Sequence, residues 1–256
     1  MPIFHKFLQK NWHNGFETHN AILDTVPYKP EVIFIGTFNH GWPWNVSDFF
    51  YGRGMYMWTI FGNMFLHNGN HWILQRRANN NMPTLPQLFE ICEKGKIVFA
   101  DIVLGTKSHI HTQINLADES VLVDNQYLWR SYKDQPLDVM GANGWLDDNV
   151  KNIIAYIQST PSIKHIYFTF KSGDWVVTKK NLIVAGVGLV PSSSIFSPTA
   201  NGFGVNLPAP LNERAWSLAH QWVWNGQPHA IPVNRVGYGH LDHNWLISKG
   251  VNPNNF

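Results

Sequence analysis

Residues 32–41 read Val-Ile-Phe-Ile-Gly-Thr-Phe-Asn-His-Gly, and the fold turns on them. Val32 to Ile35 are apolar without alternation, which predicts a strand covered on both faces, as in a parallel sheet. Gly36 then ends the strand in a turn that presents an aromatic, an amide and an imidazole: Phe38, Asn39 and His40. Asp48-Phe49-Phe50-Tyr51-Gly52-Arg53-Gly54 follows and leads into a segment whose Met57, Trp58, Ile60, Phe61, Met64 and Phe65 recur at helical spacing. Ligands of open α/β sheets bind at such carboxyl ends of strands, before the next helix.

Outward from this stretch, residues 5–12 are expected to form a short helix, and Pro30 favours an extended approach to the first strand. Residues 79–83 are loop. Thr84 is a helix cap for residues 85–93, closed by Gly95. Residues 96–100 (KIVFA) form a second buried strand ending on Asp101. Residues 105–118 are polar and receive no assignment, and 119–146 are mixed, with loop at 141–144. A helix over 147–159 carries Val150, Ile153, Ile154 and Ile157 on one face and stops at Thr160-Pro161. Residues 164–170 (KHIYFTF) are a third strand, 174–185 a helix, 187–190 a fourth strand, 211–224 a helix, and 237–256 a turn-rich tail. This alternation predicts an α/β fold: a single-domain, three-layer α/β/α sandwich over residues 1–256, with a central, mainly parallel four-stranded sheet.

Composition narrows the function classes. With 256 residues, 44% hydrophobic and 14% charged, the chain can bury a large core. A net charge of +2 permits a nucleic-acid partner without arguing for one. Cys92 is alone, which excludes an intrachain disulfide, a cysteine-based zinc site and a cysteine-ligated iron–sulfur cluster. Neither a signal-like apolar stretch at residues 1–10 nor an uninterrupted apolar run of roughly 18 residues occurs. The expectation is a cytoplasmic monomer away from membranes. Twelve Trp and 16 Phe fill the core and could also supply stacking surfaces for planar ligands.

Several familiar sites fail on their spacing. The turn after the first strand has only Gly36 and Gly41, so the dinucleotide fingerprint is missing. No Gly-Lys-Ser/Thr loop occurs, Gly186-Val187-Gly188 is a lone pair, and no Gly-x-Ser-x-Gly elbow exists. His109-x-His111 and His240-Leu241-Asp242-His243 have metal-compatible spacing but poor companions, so no metal or other cofactor is expected. What remains is a set of strand ends: Phe38, Asn39 and His40; then Asp101; then Thr169 and Lys171; then residues 197–201. In a parallel sheet these share one edge. There an aromatic could stack on a base while a carboxamide and a carboxylate read its edge or orient a water. Asp101 and Asn201 could equally cap turns or helices.

These residues carry a resemblance. Gly36-Thr37-Phe38-Asn39-His40-Gly41 resembles the first motif of the uracil-DNA glycosylase superfamily. Residues 50–58 resemble the Tyr-Tyr-Gly…Phe-Trp segment of its hypoxanthine-type and mismatch-type branches. Ser197-Pro198-Thr199-Ala200-Asn201 resembles the second motif, and residues 96–106 are similar to the strand that ends on the base-reading residue, placing Asp101 there. The order holds over about residues 30–225.

The resemblance implies a monofunctional DNA glycosylase that flips a nucleotide and hydrolyses its N-glycosidic bond, leaving an abasic site. Asn39 or His40 would hold the water, with Asp48 as a candidate base. Phe38 or Phe50 would stack on the flipped base, with Tyr51 and Thr169 beside it and Asp101 reading its edge. Ser197, Thr199 and Asn201 would touch phosphates and the flipped nucleotide, and Phe203 would wedge into the vacated stack. Arg53, Lys107, Lys171 and Arg214 would add phosphate contacts. His40 stands where the family prefers proline, the gap to the hypoxanthine branch's catalytic asparagine near Tyr56 is one residue shorter, and Ser197 replaces the second-motif histidine. These departures point away from uracil to another base, including bulky modified pyrimidines such as the glucosylated cytosines of phage DNA, and so to anti-phage defence. A non-catalytic nucleic-acid or nucleotide binder and a metal-assisted hydrolase unrelated to DNA are the alternatives.

Overall fold

In the computed structural model of this chain, the strands expected near residues 32, 96 and 164 lie side by side. The structure describes residues 1–41, 46–69, 82–130, 136–195, 214–224 and 238–256. It is a mixed α/β protein. The strands are β1 (Gln9–Trp12), β2 (Phe16–His19), β3 (Ile22–Thr25), β4 (Val32–Gly36), β5 (Ile97–Asp101), β6 (Val103–Thr106), β7 (Thr112–Asn115), β8 (Ser120–Val123), β9 (Tyr127–Arg130), β10 (Leu146–Asp148), β11 (His165–Phe168) and β12 (Ser192–Ser194). The helices are α1 (Tyr56–Phe61), α2 (Leu85–Gly95), α3 (Pro136–Ala142), α4 (Val150–Ser159), α5 (Asp174–Val187), α6 (Arg214–Trp224) and α7 (His243–Ser248). A π-helical turn over Gly62–Leu66 prolongs α1.

The main sheet has seven strands in the order β1-β2-β3-β5-β4-β11-β12. Its β5-β4-β11-β12 half is parallel, with Gly36 opposite Asp101 and Phe168 opposite Ile35 and Ser194. The β1-β2-β3 half is an antiparallel meander joined to β5 through Ile22 and Ala100. A three-stranded sheet, β7-β8-β9, and a β6–β10 pair stand apart. They lie within residues 103–148, most of which sequence alone left unassigned, and β10 takes Asp147 and Asp148 from the start of the helix expected over 147–159.

Three expectations are corrected. The central sheet has seven strands in place of the expected four, because the amino-terminal hairpins add an antiparallel meander to the edge of β5. The helix expected at 5–12 is replaced by β1, because Asn14-Gly15 between Trp12 and Phe16 closes a hairpin. Gly15 takes φ +85° and its amide donates to the Trp12 carbonyl at 3.2 Å. The fourth strand is not 187–190: α5 runs to Val187, Gly188 breaks it at φ +70°, and the polar Ser192–Ser194 pairs with β11 instead. Pairing to a buried neighbour outweighs the weak β-propensity of serine there.

The core over the parallel half is aromatic. Phe99 of β5 is fully buried among Phe34, Phe49, Phe50, Tyr51 and Trp58, with ring centroids 5.4–6.1 Å away. Trp58 of α1 also donates its indole N–H to the Phe50 carbonyl at 2.7 Å, tying the helix to the loop after β4. Trp222 of α6 covers Phe34 and Phe61 at 6.1 and 5.4 Å. Thr84 and Gln87 form a capping box at the start of α2. Among the described residues no helix is long and apolar enough to cross a membrane. Phe99→Ala should remove about 3–5 kcal/mol of stability, as large cavities do, read as a lower urea midpoint. A loss under about 1 kcal/mol would show that the ring cluster relaxes into the cavity.

Candidate functional site

The site grows from a contact that only glycine permits. A Cβ on Gly36 would lie 2.3 Å from Asp101 Oδ1 and 2.8 Å from the Tyr51 hydroxyl. The end of β4 is thus a bare backbone floor on which the side chains of β5 and of the loop after Phe50 rest. Tyr51 and Gly52 both take positive φ, +60° and +69°, which turns the chain back and brings the Tyr51 ring in. Its hydroxyl lies 3.1 Å from Thr169 Oγ1, at the end of β11. Three adjacent parallel strands therefore deliver Gly36, Asp101 and Thr169 to one edge.

His5 completes this arrangement, and sequence reasoning missed it. Its Nε2 lies 2.7 Å from Asp101 Oδ2, and its Nδ1 accepts the Phe7 amide at 2.9 Å. Because Nδ1 is used as an acceptor, the ring proton sits on Nε2 and is donated to the carboxylate. Both side chains are buried. The Asp101 carbonyl accepts from the fully buried Asn149 carboxamide at 3.0 Å, which also bridges to the Asn20 carbonyl. His5 occupies Oδ2, while Oδ1 is turned over Gly36 toward Tyr51.

Asn39 is the second polar feature. It is 5% exposed, its Oδ1 accepts the Gly41 amide at 3.0 Å, and its carbonyl accepts the Lys6 amide at 2.7 Å. Its Nδ2 is buried with no hydrogen-bond partner among the described residues. An unsatisfied buried donor costs about 1–3 kcal/mol, and in a native fold such a group is met by strain, by an ordered water or ion, or by a catalytic role. Phe38 is half-buried, with ring centroids 5.9 Å from His5, 6.3 Å from His40 and 5.9 Å from Trp129 of β9, on which it stacks. Burial pushes the His40 imidazole down to about 3, with a smaller push from His5. It is a neutral donor–acceptor at ordinary pH.

The other expected residues are placed elsewhere. Phe50 is fully buried and stacks on Phe99 at 5.6 Å, as part of the wall behind the site. Both Asp48 oxygens accept from Arg53 Nε, at 2.9 and 2.7 Å, and Arg53 Nη1 donates to the Pro83 carbonyl at 3.2 Å. These two form their own pair. Lys107 follows β6, with its amide bonded to the Trp145 carbonyl at 2.8 Å. The Lys171 ammonium lies 4.7 Å from the Tyr238 ring centroid. Arg214 is the first residue of α6. Ser197, Thr199, Asn201 and Phe203 lie outside the described residues. Among the described residues no three His, Cys, Asp or Glu side chains gather as metal ligands.

Comparison with known proteins returns no family model, no curated sequence and no solved structure that matches this chain.

The burial of His40 has a pH signature. Its folded-state pKa lies below the unfolded value, so the unfolded chain binds the proton more readily. The associated stability is present above about pH 6.5 and is lost as pH falls toward about 3. His40→Asn should flatten the fall in unfolding free energy over this window, measured by urea denaturation at a series of pH values. Parallel curves for the two proteins would show that His40 is not the group being protonated.

Proposed function

We propose that this chain is a monofunctional DNA glycosylase. The observation that carries the reading is the meeting, where the parallel strands end, of a buried unsatisfied carboxamide donor on Asn39, a hydrogen-bonded carboxylate on Asp101 and a half-buried ring on Phe38. In this reading the parallel strands, with α1, α2 and α6 as one helix group and α3, α4 and α5 as the other, make a three-layer α/β/α sandwich.

Hydrolysis of an N-glycosidic bond passes through an oxocarbenium-like state. The protein then has two tasks: placing a water under the sugar and stabilising negative charge on the departing base. Asn39 Nδ2 is a donor already desolvated and held by the Gly41 turn, so it stabilises an anion without reorganising. The neutral His40 imidazole holds the water. Because Arg53 engages both oxygens of Asp48, the water is assigned to Asn39 and His40 in preference to Asp48. Phe38 stacks on the flipped base, with Tyr51 and Thr169 at its side, while Phe50 supports the wall. Asp101 is acceptor-only when ionised, so its Oδ1, which His5 does not take, favours an edge with an amino group, as on cytosine, over the carbonyl of uracil. The substrate class is therefore an amino-bearing base, including a modified cytosine in phage DNA. Arg53, Lys107, Lys171 and Arg214, with Ser197, Thr199, Asn201 and Phe203, contact the DNA strand, and the protein acts as a monomer.

The test is a panel of single- and double-stranded oligonucleotides carrying uracil, hypoxanthine, xanthine or modified cytosines, incubated with protein and treated with alkali. Strand breaks are expected on an amino-bearing base. Asn39→Ala should lower the rate about a hundredfold or more, the usual cost of one preorganised donor. Asp101→Asn should shift preference toward carbonyl-bearing bases. No break on any substrate would overturn the reading, and salt-dependent binding without base release would favour a non-catalytic binder.

A further inference from the structure

A groove of about 410 Å³ runs between α5 and the edge strand β12. Phe168 and Val184 give it an apolar floor, and the Ser193 and Ser194 side chains, Lys171 and Lys180 supply its polar groups. The backbone closes tightly along one side: the Gly239 amide donates to the Ser194 carbonyl at 2.7 Å, and a Cβ on Gly239 would come within 2.8 Å of Ser193 Cβ. Glycine at 239 thus lets residues 238–241 run against β12 without filling the groove.

Its charge pattern is one-sided. Lys180 Nζ donates to Ser194 Oγ at 3.3 Å, and among the described residues the lining holds no carboxylate. The contrast with its sequence neighbour is direct: Lys179 pairs with Asp148 at 2.7 Å, and Lys249 elsewhere pairs with Glu31 at 2.8 Å. Burial, and next the Lys171 ammonium, lower the Lys180 pKa, so the two cations feel one another. Two ammonium groups beside hydroxyl donors, with no carboxylate among the described lining residues, form a concavity in which an anion would relieve the repulsion between them. Ammonium and hydroxyl donors around a roomy opening suit the several acceptor oxygens of a phosphate.

We propose that the α5–β12 groove is a phosphate-binding site, with Lys180 and Ser194 as its principal ligands and Lys171 as a second cation. It shares Lys171 with the contacts proposed for DNA, but its principal ligands, Lys180 and Ser194, have no part in the glycosylase reading, so the two can fail separately. The phosphate can come from a DNA backbone or from a free phosphate, and the two sources are separable.

Inorganic phosphate, and separately a short single-stranded oligonucleotide without damaged bases, are titrated into the full chain at constant ionic strength, with chloride as control. Binding is followed by amide shifts and calorimetry, and folding of each variant by thermal unfolding. Lys180→Met should weaken phosphate binding about tenfold or more, the loss of one charge-assisted hydrogen bond, and Ser194→Ala should weaken it less. If Lys180→Met also weakens the oligonucleotide and lowers the slope of its salt dependence by about one, the site takes backbone phosphate. If only inorganic phosphate responds, the site stands as one for free phosphate. No phosphate-specific response, or equal binding by wild type and the folded Lys180→Met, overturns the proposal.

Discussion

The site depends on an oxygen of Asp101 lying almost where a side-chain carbon of residue 36 would be. That approach requires β4 and β5 to be parallel and in the register that sets Gly36 against Asp101. It also requires the carboxylate to be held, because a rotating Asp101 would not stay over a bare backbone. His5 supplies the restraint through its Nε2 proton, and the Phe7 amide supplies the restraint on His5. The antiparallel extension of the sheet serves the site as well: Asp101 donates its amide to Ala21 at the β2–β3 turn, and Asn149 bridges Asp101 and Asn20. The meander and the parallel core meet at the same residue.

The two contacts that hold an aspartate near the turn differ in consequence. Asp48 and Arg53 are partly exposed and paired through both carboxylate oxygens, a geometry that fixes the loop between β4 and α1. Exposure limits what such a pair adds to stability to roughly 1 kcal/mol or less. His5 and Asp101 are buried, so each group removed leaves a desolvated partner behind. The loop pair is a structural clip, and the buried pair holds an oxygen in one orientation. Burial, more than residue type, separates the two aspartates.

The parallel half was legible because its strands are continuous apolar runs whose ends carry unusual side chains. Residues 32–35, 96–100 and 164–170 all obeyed that rule, and β12 did not, because three serines carry no hydrophobic signal. The amino-terminal hairpins hid behind apolar residues at helix-like spacing, although Asn14-Gly15 was a usable turn signal. In the site, Phe38, Asn39, His40, Asp101 and Thr169 could be proposed because each follows a strand. His5 could not, since its partner lies 96 residues away and its own segment is neither strand nor helix. Nothing local to residues 3–7 marks a histidine that must be buried.

If the chain acts as proposed, this division bears on how its preference for a base would change. The parallel strands supply the edge, the glycine floor and the position of the carboxylate. Which oxygen remains available is decided by His5, on a segment outside that core that runs between Asn39 and Leu104 through the Lys6 and His5 amides. Substitution at this segment can redirect Asp101 without altering strand register or the aromatic core. The same segment holds the Asn39 carbonyl, so the carboxylate and the unsatisfied carboxamide are adjusted together. In the proposed glycosylase, a change on this one segment would therefore move the base preference and the Asn39 carboxamide together, while the strand register stays in place.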